Sequence, residues 1–362
     1  MVTAIDSSWV KGCRQVAATR ERFQQLCASR TSPVSFPTIA EVEQALQQGV
    51  RAYELQHRNW RNHVYRVKLE DGTIVLLKQV SFGTDATVRG QFDELEALGR
   101  LQVPGLRVPR PVALLPEKRA LIMEFVPGET ITALLSSRAG KNQGLRACEL
   151  AGAILAQVHR AWEEGVYPLP VEQLAEDIAT VPWRLSRGQK EMLRRVLAEV
   201  AGARVSVGRM HYDYEPDNLL LYGEQLFLVD PSAGSHRGVH LFEVATFHNA
   251  LRRRLHMRWV RRPSDWRLGL LSQGIDRFDK GYLGQGGAAD LEPQLFTLAV
   301  RFFELQRLGQ IFVSQKAKID MARQIGKFGW EAGGPSINRA QFGLLDVYKR
   351  WLFHQLAREL PG

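Results

Sequence analysis

The chain has 362 residues, 45% of them hydrophobic, so it can bury a substantial core, and it contains no internal repeat or low-complexity tract. Its 48 basic residues against 38 acidic ones leave a net charge of +10, which favours anionic partners over polycationic ones. Cys13, Cys27 and Cys148 are too few and too far apart for a disulfide framework or a C-x-x-C metal site, so we expect reduced thiols.

The first fifty residues predict two short helices in front of a larger fold. Residues 19–28 indicate one helix, residues 31–37 a linker, and Thr38 with Glu41 a capping box that opens a second helix. We expect this extension, residues 1–50, to dock onto the domain that directly follows it. Charged residues interrupt the early apolar stretches, which argues against a signal peptide or membrane span and indicates a cytoplasmic protein.

Three short apolar or alternating segments then predict β-strands. They cover residues 53–56, 63–69 and 73–80, and Asp71-Gly72 is a strong hairpin turn signal between the last two. The order of these strands indicates an antiparallel sheet near the start of the main domain.

Lys78 interrupts the apolar segment 74–77 of the third strand. An ammonium group is costly to bury unless it meets an anion, so we predict that Lys78 faces phosphates. The alternative is a lysine at the strand end whose charge reaches solvent. The helical pattern of residues 92–101 offers two acidic partners for Lys78, which are Glu94 and its rival Glu96.

Of the nine histidines, four outside the motif described next could be mistaken for functional groups. His159 stands in the helical segment 150–159 and predicts a packed, hydrogen-bonded core histidine rather than a catalyst. His236, His240 and His248 lie close together in sequence, but no cysteine or clear fourth ligand joins them. We therefore expect packed or surface roles for these three rather than a zinc site.

His211, Asp213, Asn218 and Asp230 stand at the spacing of a phosphoryl-transfer site. Asp213 is placed to orient an attacking hydroxyl group. Asn218 and Asp230 can supply two oxygen ligands to Mg²⁺ on nucleotide phosphates. The sequence thus predicts one catalytic carboxylate and a metal-binding pair.

The apolar residues between the two metal ligands explain their spacing. Residues 219–221 and 225–229 predict two short strands, and residues 222–224 predict the turn of a hairpin. The hairpin would return the chain and bring Asp230 beside Asn218.

A basic segment, residues 251–267, follows the metal-binding pair and contains a single acid, Asp265. Its field would attract an anion, such as a phosphorylated sugar, an acidic glycolipid or a lipid headgroup, and would repel an aminoglycoside. Alternatively, the arginines form a solvated helix face, with Trp259 and Trp266 packed inward.

The motif resembles the catalytic and metal-binding loops of the kinase superfamily, and more closely those of the aminoglycoside phosphotransferase and choline kinase family. That family's loop has His-Gly-Asp with Asn five residues after the Asp, as in residues 211–218, and a later Asp that corresponds to Asp230. Tyr212 replaces the usual Gly, and Pro231 follows the second Asp. Glu215 stands where serine/threonine protein kinases carry Lys, which favours the small-molecule branch.

The resemblance also implies a nucleotide site that binds ATP with Mg²⁺. Lys78 aligned by Glu94 would hold the nucleotide phosphates, and Asn62 belongs to the covering loop, which has no glycine. Glu124 and Val126 correspond to the hinge whose backbone binds adenine.

The resemblance covers about residues 51–310 and implies an α+β, two-lobed, protein-kinase-like fold. The expected domains are a helical extension (1–50), an antiparallel-sheet N-lobe (51–123) and a mainly helical C-lobe (124–362). The implied function is an ATP- and Mg²⁺-dependent kinase that phosphorylates a hydroxyl of a neutral or anionic small molecule. The alternative is a catalytically inactive kinase-fold protein that binds nucleotide or a polyanion such as nucleic acid or a membrane surface.

Overall fold

The computed structural model describes residues 10, 13–28, 34–58, 62–80, 85–232, 236–261, 264–325 and 335–360. The chain divides into two compact units. The smaller unit takes the described residues of 25–130 and 218–235, and the larger takes those of 1–24, 131–217 and 236–362. The short segment that carries Asn218 and Asp230 therefore belongs to the smaller unit, although its neighbours in sequence belong to the larger one.

The main sheet of the smaller unit is antiparallel and has the order β1-β2-β3-β6-β5. Its strands are β1 (Val50–Arg58), β2 (Asn62–Leu69), β3 (Ile74–Val80), β5 (Pro111–Leu115) and β6 (Ala120–Glu124). The predicted turn at Asp71-Gly72 is confirmed, because an Asp71 carboxylate oxygen accepts the Thr73 N–H at 2.8 Å and Gly72 has a φ of 87°. Gly72 is suited to this left-handed conformation because it has no Cβ.

Helices cover both faces of this sheet. They are α2 (Ile39–Leu46) and α3 (Asp85–Gly99), and a 3₁₀ turn spans Pro116–Lys118. Val42 of α2 packs against Val67 and Leu77, while Leu95 of α3 packs against Val80 on the other face. Because side chains alternate along a strand, Lys78 shares the face that α3 covers.

A second, four-stranded sheet completes the smaller unit in the order β4-β11-β10-β7. Its strands are β4 (Leu106–Arg107), β7 (Glu129–Thr130), β10 (Leu219–Tyr222) and β11 (Gln225–Leu228). β10 pairs antiparallel with β11 and β7, and β11 pairs parallel with β4. This sheet ties the segment after Asp217 into the smaller unit.

The larger unit is mainly helical. Its helices are α1 (Gln15–Ala28, of which the first part belongs to this unit), α4 (Ile131–Ser136), α5 (Lys141–Trp162), α6 (Val171–Ala179), α7 (Arg187–Glu199), α8 (Leu241–Arg261), α9 (Arg267–Gly284), α10 (Pro293–Ile325) and α11 (Pro335–Glu359). A small antiparallel sheet of order β12-β9-β8 joins β8 (Glu163–Pro168), β9 (Arg204–Met210) and β12 (His236–Val239). None of the described helices is long and apolar enough to cross a lipid bilayer.

The amino-terminal extension divides between the two units. The predicted capping box is confirmed, since the Thr38 hydroxyl accepts the Glu41 N–H and the Glu41 carboxylate accepts the Thr38 N–H at the start of α2. The expectation that the whole extension docks onto the following sheet is wrong for the start of α1. The carboxylate of Asp177 in α6 accepts the backbone N–H groups of Val16 and Ala17, each at 2.9 Å, and so holds this helix end in the larger unit.

Two glycines allow α5 and α9 to approach closely. A Cβ at Gly152 of α5 would lie 2.0 Å from the Phe278 carbonyl oxygen, and one at Gly281 of α9 would lie 1.9 Å from the Glu149 carbonyl oxygen. Both distances are far below van der Waals contact, so a side chain at either position would push the helices apart. The contact holds α5 and α9 together, and α5 also packs against β9 of the small sheet.

We therefore expect Gly281→Ala to lower the free energy of unfolding by about 2 kcal/mol or more, because the added methyl group overpacks a rigid backbone contact. Gly269→Ala in the same helix is the matched control, since its Cβ would meet nothing closer than the Gln273 Nε2 at 3.9 Å. The control should leave the free energy of unfolding unchanged or raise it by about 0.5 kcal/mol. Urea titrations compare the two variants, and equal effects would contradict the packing argument.

Candidate active site

The candidate residues fall into two groups, one in each unit. In the smaller unit, the predicted hairpin is confirmed: β10 and β11 pair antiparallel, with Gly223 in the turn at a φ of 60°. At the open end of the hairpin, the Val229 N–H donates to the Asn218 carbonyl oxygen at 2.9 Å. Asn218 directly precedes β10 and Asp230 follows β11 by two residues, so both lie at the open end of the same hairpin.

Lys78 is buried and forms an ion pair with the carboxylate of Asp230. A buried ammonium group needs a negative partner to offset its loss of hydration, and Asp230 supplies one. The alternative interpretation, a strand-end lysine whose charge reaches solvent, is wrong, because the Lys78 side chain is only 4% exposed. Asp230 itself adopts a left-handed backbone conformation, with a φ of 55°, which aspartate tolerates better than most residues.

The two acids that compete as helix partners of Lys78 differ in burial. Glu94 is buried inside the smaller unit, in the helix that covers the Lys78 face of the sheet. Glu96 points outward and pairs with Arg100 one turn later, at 3.1 Å between side-chain atoms. Burial therefore favours Glu94 as the acid available to an internal lysine.

Of the remaining nucleotide candidates, Asn62 and Glu124 lie on strands of the main sheet, and Val126 lies just after one. Asn62 is the first residue of β2 and stands opposite Val80. Glu124 ends β6, where it exchanges hydrogen bonds with Arg110: its N–H donates to the Arg110 carbonyl oxygen at 2.9 Å, and its carboxylate accepts the Arg110 N–H at 3.1 Å. Val126 follows as a buried residue.

In the larger unit, the loop after β9 carries Asp213, and its charge is balanced by Arg307 of α10. One guanidinium nitrogen of Arg307 donates to the Asp213 Oδ1 at 2.7 Å and to the Glu215 Oε1 at 2.9 Å. The Arg307 side chain is 12% exposed, whereas that of Asp213 is 43% exposed. Asp213 thus has one oxygen held by a buried arginine and a side chain that solvent and ligands can reach.

The neighbouring charges shift the pKa values of Glu215 and Arg307. Burial alone would raise the pKa of Glu215, but the guanidinium groups of Arg253 and Arg307 outweigh it and lower the pKa. Burial would lower the pKa of Arg307, but the carboxylates of Asp213 and Glu215 raise it. Glu215 and Arg307 therefore carry opposite charges at neutral pH.

Arg307 received no role from the sequence, because 94 residues separate it from Asp213. The available signal is a single arginine within the helical segment Phe302-Phe303-Glu304-Leu305-Gln306-Arg307-Leu308. An arginine in an apolar helix requires an internal carboxylate, but the pattern does not say which one.

Tyr212, which replaces the glycine of the resembling motif, has a φ of 73°. This conformation is strained for a residue with a Cβ, so surrounding contacts must hold it. The Tyr212 N–H donates to the Glu243 Oε1 at 2.8 Å, its ring stacks on His236 with centroids 4.3 Å apart, and its hydroxyl accepts the Gln310 Nε2–H at 2.7 Å. These three contacts fix the residue directly before Asp213.

Glu243 of α8 links that loop to the buried His159. Its second carboxylate oxygen, Oε2, lies 3.1 Å from the His159 Nε2, and the His159 Nδ1 lies 3.0 Å from the Tyr282 hydroxyl oxygen. Burial raises the pKa of Glu243 to about 7 and lowers the pKa of His159 to about 3. The predicted core role of His159 is confirmed, and Glu243 titrates near neutral pH.

The other three histidines have separate partners. His236 stacks on Tyr212, the His240 Nδ1 lies 2.8 Å from the Ser206 hydroxyl oxygen, and the His248 Nε2 lies 2.7 Å from an Asp279 carboxylate oxygen. In the described part of the chain, no three His, Cys, Asp or Glu side chains form a group that could hold a metal ion. Two described thiols, those of Cys13 and Cys148, are unpaired and buried, and burial raises the pKa of Cys13 to about 12.

The basic segment 251–267 is not simply a solvated face. Five of its arginines pair with carboxylates: Arg252 with Glu304 at 2.8 Å, Arg253 with Glu215 at 3.5 Å, Arg254 with Asp217, and Arg258 and Arg267 with Asp265 at 3.2 Å. These pairs compensate part of the positive charge of the segment, and the anionic acceptor stays a prediction. Trp266 is 36% exposed rather than packed inward, and the side chain of Trp259 lies outside the described residues.

The sequence around this site matches a known protein family. The model of the phosphotransferase enzyme family, APH, matches residues 54–270. None of the curated proteins matches the chain.

Three solved structures are similar to the chain. A protein from Ralstonia eutropha JMP134, described as an aminoglycoside phosphotransferase, has a TM-score of 0.57 and 14% identity over 89% of this chain and 98% of its own. An amicoumacin kinase in complex with AMP-PNP, Ca²⁺ and Ami has a TM-score of 0.50 and 13% identity over 95% and 96% of the two chains. A type I macrolide 2'-phosphotransferase has a TM-score of 0.50 and 12% identity over 80% and 99%. At these identities the likeness concerns the fold, and it confirms the predicted α+β, protein-kinase-like class.

The raised pKa of Glu243 predicts a stability that depends on pH. Because the folded state holds this proton up to about pH 7 and an unfolded glutamate releases it near 4.5, the group's contribution is complete below pH 4.5 and is lost as the pH rises to about 7. Compared with Glu243→Gln, the wild type should lose roughly 3 kcal/mol of unfolding free energy over this interval. Urea titrations at several pH values measure the difference, and parallel pH profiles of the two proteins would contradict the assignment.

Proposed function

The chain belongs to the phosphotransferase enzyme family, and on that premise we propose that it is an ATP- and Mg²⁺-dependent kinase that phosphorylates a hydroxyl group of a small molecule. The observation that supports this most strongly is the burial of Lys78 against Asp230, in the unit whose hairpin also carries Asn218. A buried lysine next to a partly exposed carboxylate is suited to holding phosphate oxygens together with a metal ion.

In this proposal, Asn218 and Asp230 hold Mg²⁺. Their amide and carboxylate oxygens fit the ion, since Mg²⁺ prefers oxygen ligands and completes its shell with water and substrate phosphates around one or two protein carboxylates. The ammonium group of Lys78 would contact both the Asp230 carboxylate and the nucleotide phosphates. When bound, the metal and nucleotide supply the transferable phosphoryl group and neutralise its charge.

The remaining nucleotide contacts are assigned by the family resemblance together with burial. Glu94, which is buried on the helix over the Lys78 face, would align Lys78. The backbone of Glu124 and Val126 would bind the adenine ring, and the Asn62 side chain would cover the phosphates. The contacts with adenine need only main-chain groups, and the contact with the phosphates needs only the amide of Asn62. This arrangement suits a covering loop without glycine.

Asp213 would orient the acceptor hydroxyl. Phosphoryl transfer proceeds through a loose transition state, so a carboxylate that positions the hydroxyl matters more than a strong base. The Arg307 guanidinium stabilises the negative charge of Asp213 and engages one of its oxygens. The exposed part of the carboxylate can then accept a hydrogen bond from the acceptor.

The charges around Asp213 bear on the class of acceptor. The carboxylates of this loop and their guanidinium partners are equal in number: Asp213, Glu215 and Asp217 face Arg307, Arg253 and Arg254. The paired arginines no longer support an anionic acceptor, and the paired acids do not offer the negative pocket that a polyamine needs. Of the neutral and anionic acceptors that the sequence allowed, this balance favours a neutral hydroxyl compound such as a sugar.

A screen of acceptors tests the proposed function. ATP consumption with Mg²⁺ is measured against neutral sugars, phosphorylated sugars, choline and aminoglycosides. We expect consumption that depends on one of the neutral acceptors, and we expect Asp213→Asn to lower kcat by at least about 100-fold with little change in MgATP affinity. A protein that binds MgATP but turns over with none of the acceptors would instead be a non-catalytic kinase-fold protein.

A second prediction concerns the metal site. Asp230→Asn keeps the size of the side chain but removes its charge, so it should weaken MgATP binding by about tenfold or more while affecting metal-free ATP much less. Isothermal titration calorimetry with and without Mg²⁺ measures the two affinities.

Asp93→Asn is the matched control, because Asp93 lies exposed on α3 of the same unit. It should leave both affinities unchanged. Melting curves establish that Asp230→Asn remains folded, since the change also removes the carboxylate that Lys78 contacts. Equal MgATP affinity in the folded Asp230→Asn and Asp93→Asn proteins would remove Asp230 from the metal site.

A further inference from the structure

Arg307 forms hydrogen bonds both with the catalytic loop and with Gln310 of its own helix. Through one terminal nitrogen, Nη2, it contacts the carboxylates of Asp213 and Glu215. Its other terminal nitrogen, Nη1, donates to the Gln310 Oε1 at 3.1 Å. The guanidinium plane is thus oriented by Gln310, one turn further along α10, as well as by the acids it binds.

The amide oxygen and the amide nitrogen of Gln310 both form hydrogen bonds. Its oxygen accepts from Arg307, and its nitrogen donates to the Tyr212 hydroxyl at 2.7 Å and to the Gln15 carbonyl oxygen at 3.0 Å. An amide has two N–H donors, so both are used. Gln310 therefore joins three elements: the catalytic loop, α10 and the start of α1.

The start of α1 is itself firmly held. Asp177 accepts the N–H groups of Val16 and Ala17, and the Gln306 Nε2 donates to the Cys13 carbonyl oxygen at 2.6 Å and to Asp177 at 2.8 Å. Gln306 and Gln310 are one helical turn apart and so lie on one face of α10. Residues 13–17 rest on that face as a fixed support for Gln310.

Most of these groups lie outside the part of the chain that defines the family. The family match covers residues 54–270, whereas Gln15, Arg307 and Gln310 come from before and after it. The catalytic loop and two of its partners, Arg253 and Glu243, lie inside the match, whereas Arg307 and Gln310 lie outside it.

We propose that Arg307 is the positioning residue for Asp213, held in place by Gln310 against the amino-terminal segment 13–17. By holding one oxygen of the Asp213 carboxylate, Arg307 sets the orientation in which this carboxylate meets the acceptor hydroxyl. The inference rests on the proposed kinase function for its effect on catalysis. Its effect on the order of the loop does not depend on that function.

The chain offers a matched control on the same helix. Arg301 and Arg307 are 13% and 12% exposed, and each pairs with a carboxylate, Arg301 with Glu304 at 2.8 Å. Only the partner of Arg307 lies on the catalytic loop. Arg307→Lys and Arg301→Lys therefore make the same chemical change, and general damage to α10 would affect both alike.

Two readouts are compared in the full-length variants. We expect Arg307→Lys to lower kcat by about tenfold or more with KM for ATP and acceptor within about twofold, and Arg301→Lys to stay within about threefold of wild type in kcat. Hydrogen–deuterium exchange in residues 211–217 should accelerate in Arg307→Lys and stay unchanged in Arg301→Lys.

Gln310→Leu tests the support from α1 and serves if Arg307→Lys does not fold. It should accelerate exchange in residues 211–217 and also in residues 13–18, whereas Gln310→Glu, which keeps an oxygen for Arg307, should disturb the loop less.

Each alternative has its own result. A raised KM for the acceptor with unchanged kcat in Arg307→Lys would make Arg307 a substrate contact, and equal losses in Arg301→Lys would make it a general structural residue. Unchanged loop exchange in both Arg307→Lys and Gln310→Leu would also overturn the proposal. If the wild type shows no turnover with any acceptor, the proposed function fails, and loop exchange still decides whether Arg307 positions Asp213.

Discussion

The fold depends on the arginines that compensate the negative charge of the loop after β9. Asp213 and Glu215 stand two residues apart, and leaving the largely buried Glu215 without a cation would cost several kcal/mol. Arg307 meets both, and Arg253 adds a second cation beside Glu215. Because those arginines come from α10 and α8, the loop can adopt its conformation only when both helices are docked. The geometry around Asp213 is therefore a property of the whole larger unit.

A second anchor holds the same loop from the opposite direction through Glu243. Its Oε1 accepts the Tyr212 N–H, so a proton on the carboxyl belongs on Oε2, facing His159. When Glu243 is protonated, Oε2 donates to the His159 Nε2, and Nδ1–H then donates to the Tyr282 hydroxyl. When Glu243 ionises, both bonds reverse, with Nε2–H donating to Glu243 and the tyrosine donating to Nδ1. A neutral His159 can donate to or accept from the Glu243 carboxyl group. The hydrogen bond from the Tyr212 N–H to Glu243 is therefore kept whether Glu243 is protonated or ionised.

Local patterns predicted the smaller unit well, because its decisive features are short in sequence. The hairpin between Asn218 and Asp230 and the capping box at Thr38 each depend on a few adjacent residues, and both are present. The partners that complete the larger unit are distant in sequence. Arg307 reaches Asp213 across 94 residues, and Asp177 holds Val16 across 161. Carboxylates in a sequence indicate that a cation is needed, but they do not indicate which helix supplies it. The placement of α1 and the pairing of the basic segment could therefore not be inferred.

Under the proposed function, the paired charges also limit how the protein can select an acceptor. A pocket that recognises a charged compound keeps unpaired charge of the opposite sign, but the arginines and acids around Asp213 already satisfy one another. Withdrawing Arg307 from this network to bind a ligand would leave the largely buried Glu215 with one cation fewer, and breaking such a pair costs more stability than a single new ion pair adds. Selectivity at this loop must then come from shape and from hydrogen bonds to neutral groups, whose loss a polar pocket penalises strongly. A hydroxyl-rich neutral acceptor meets that requirement without disturbing the ion pairs that hold Asp213.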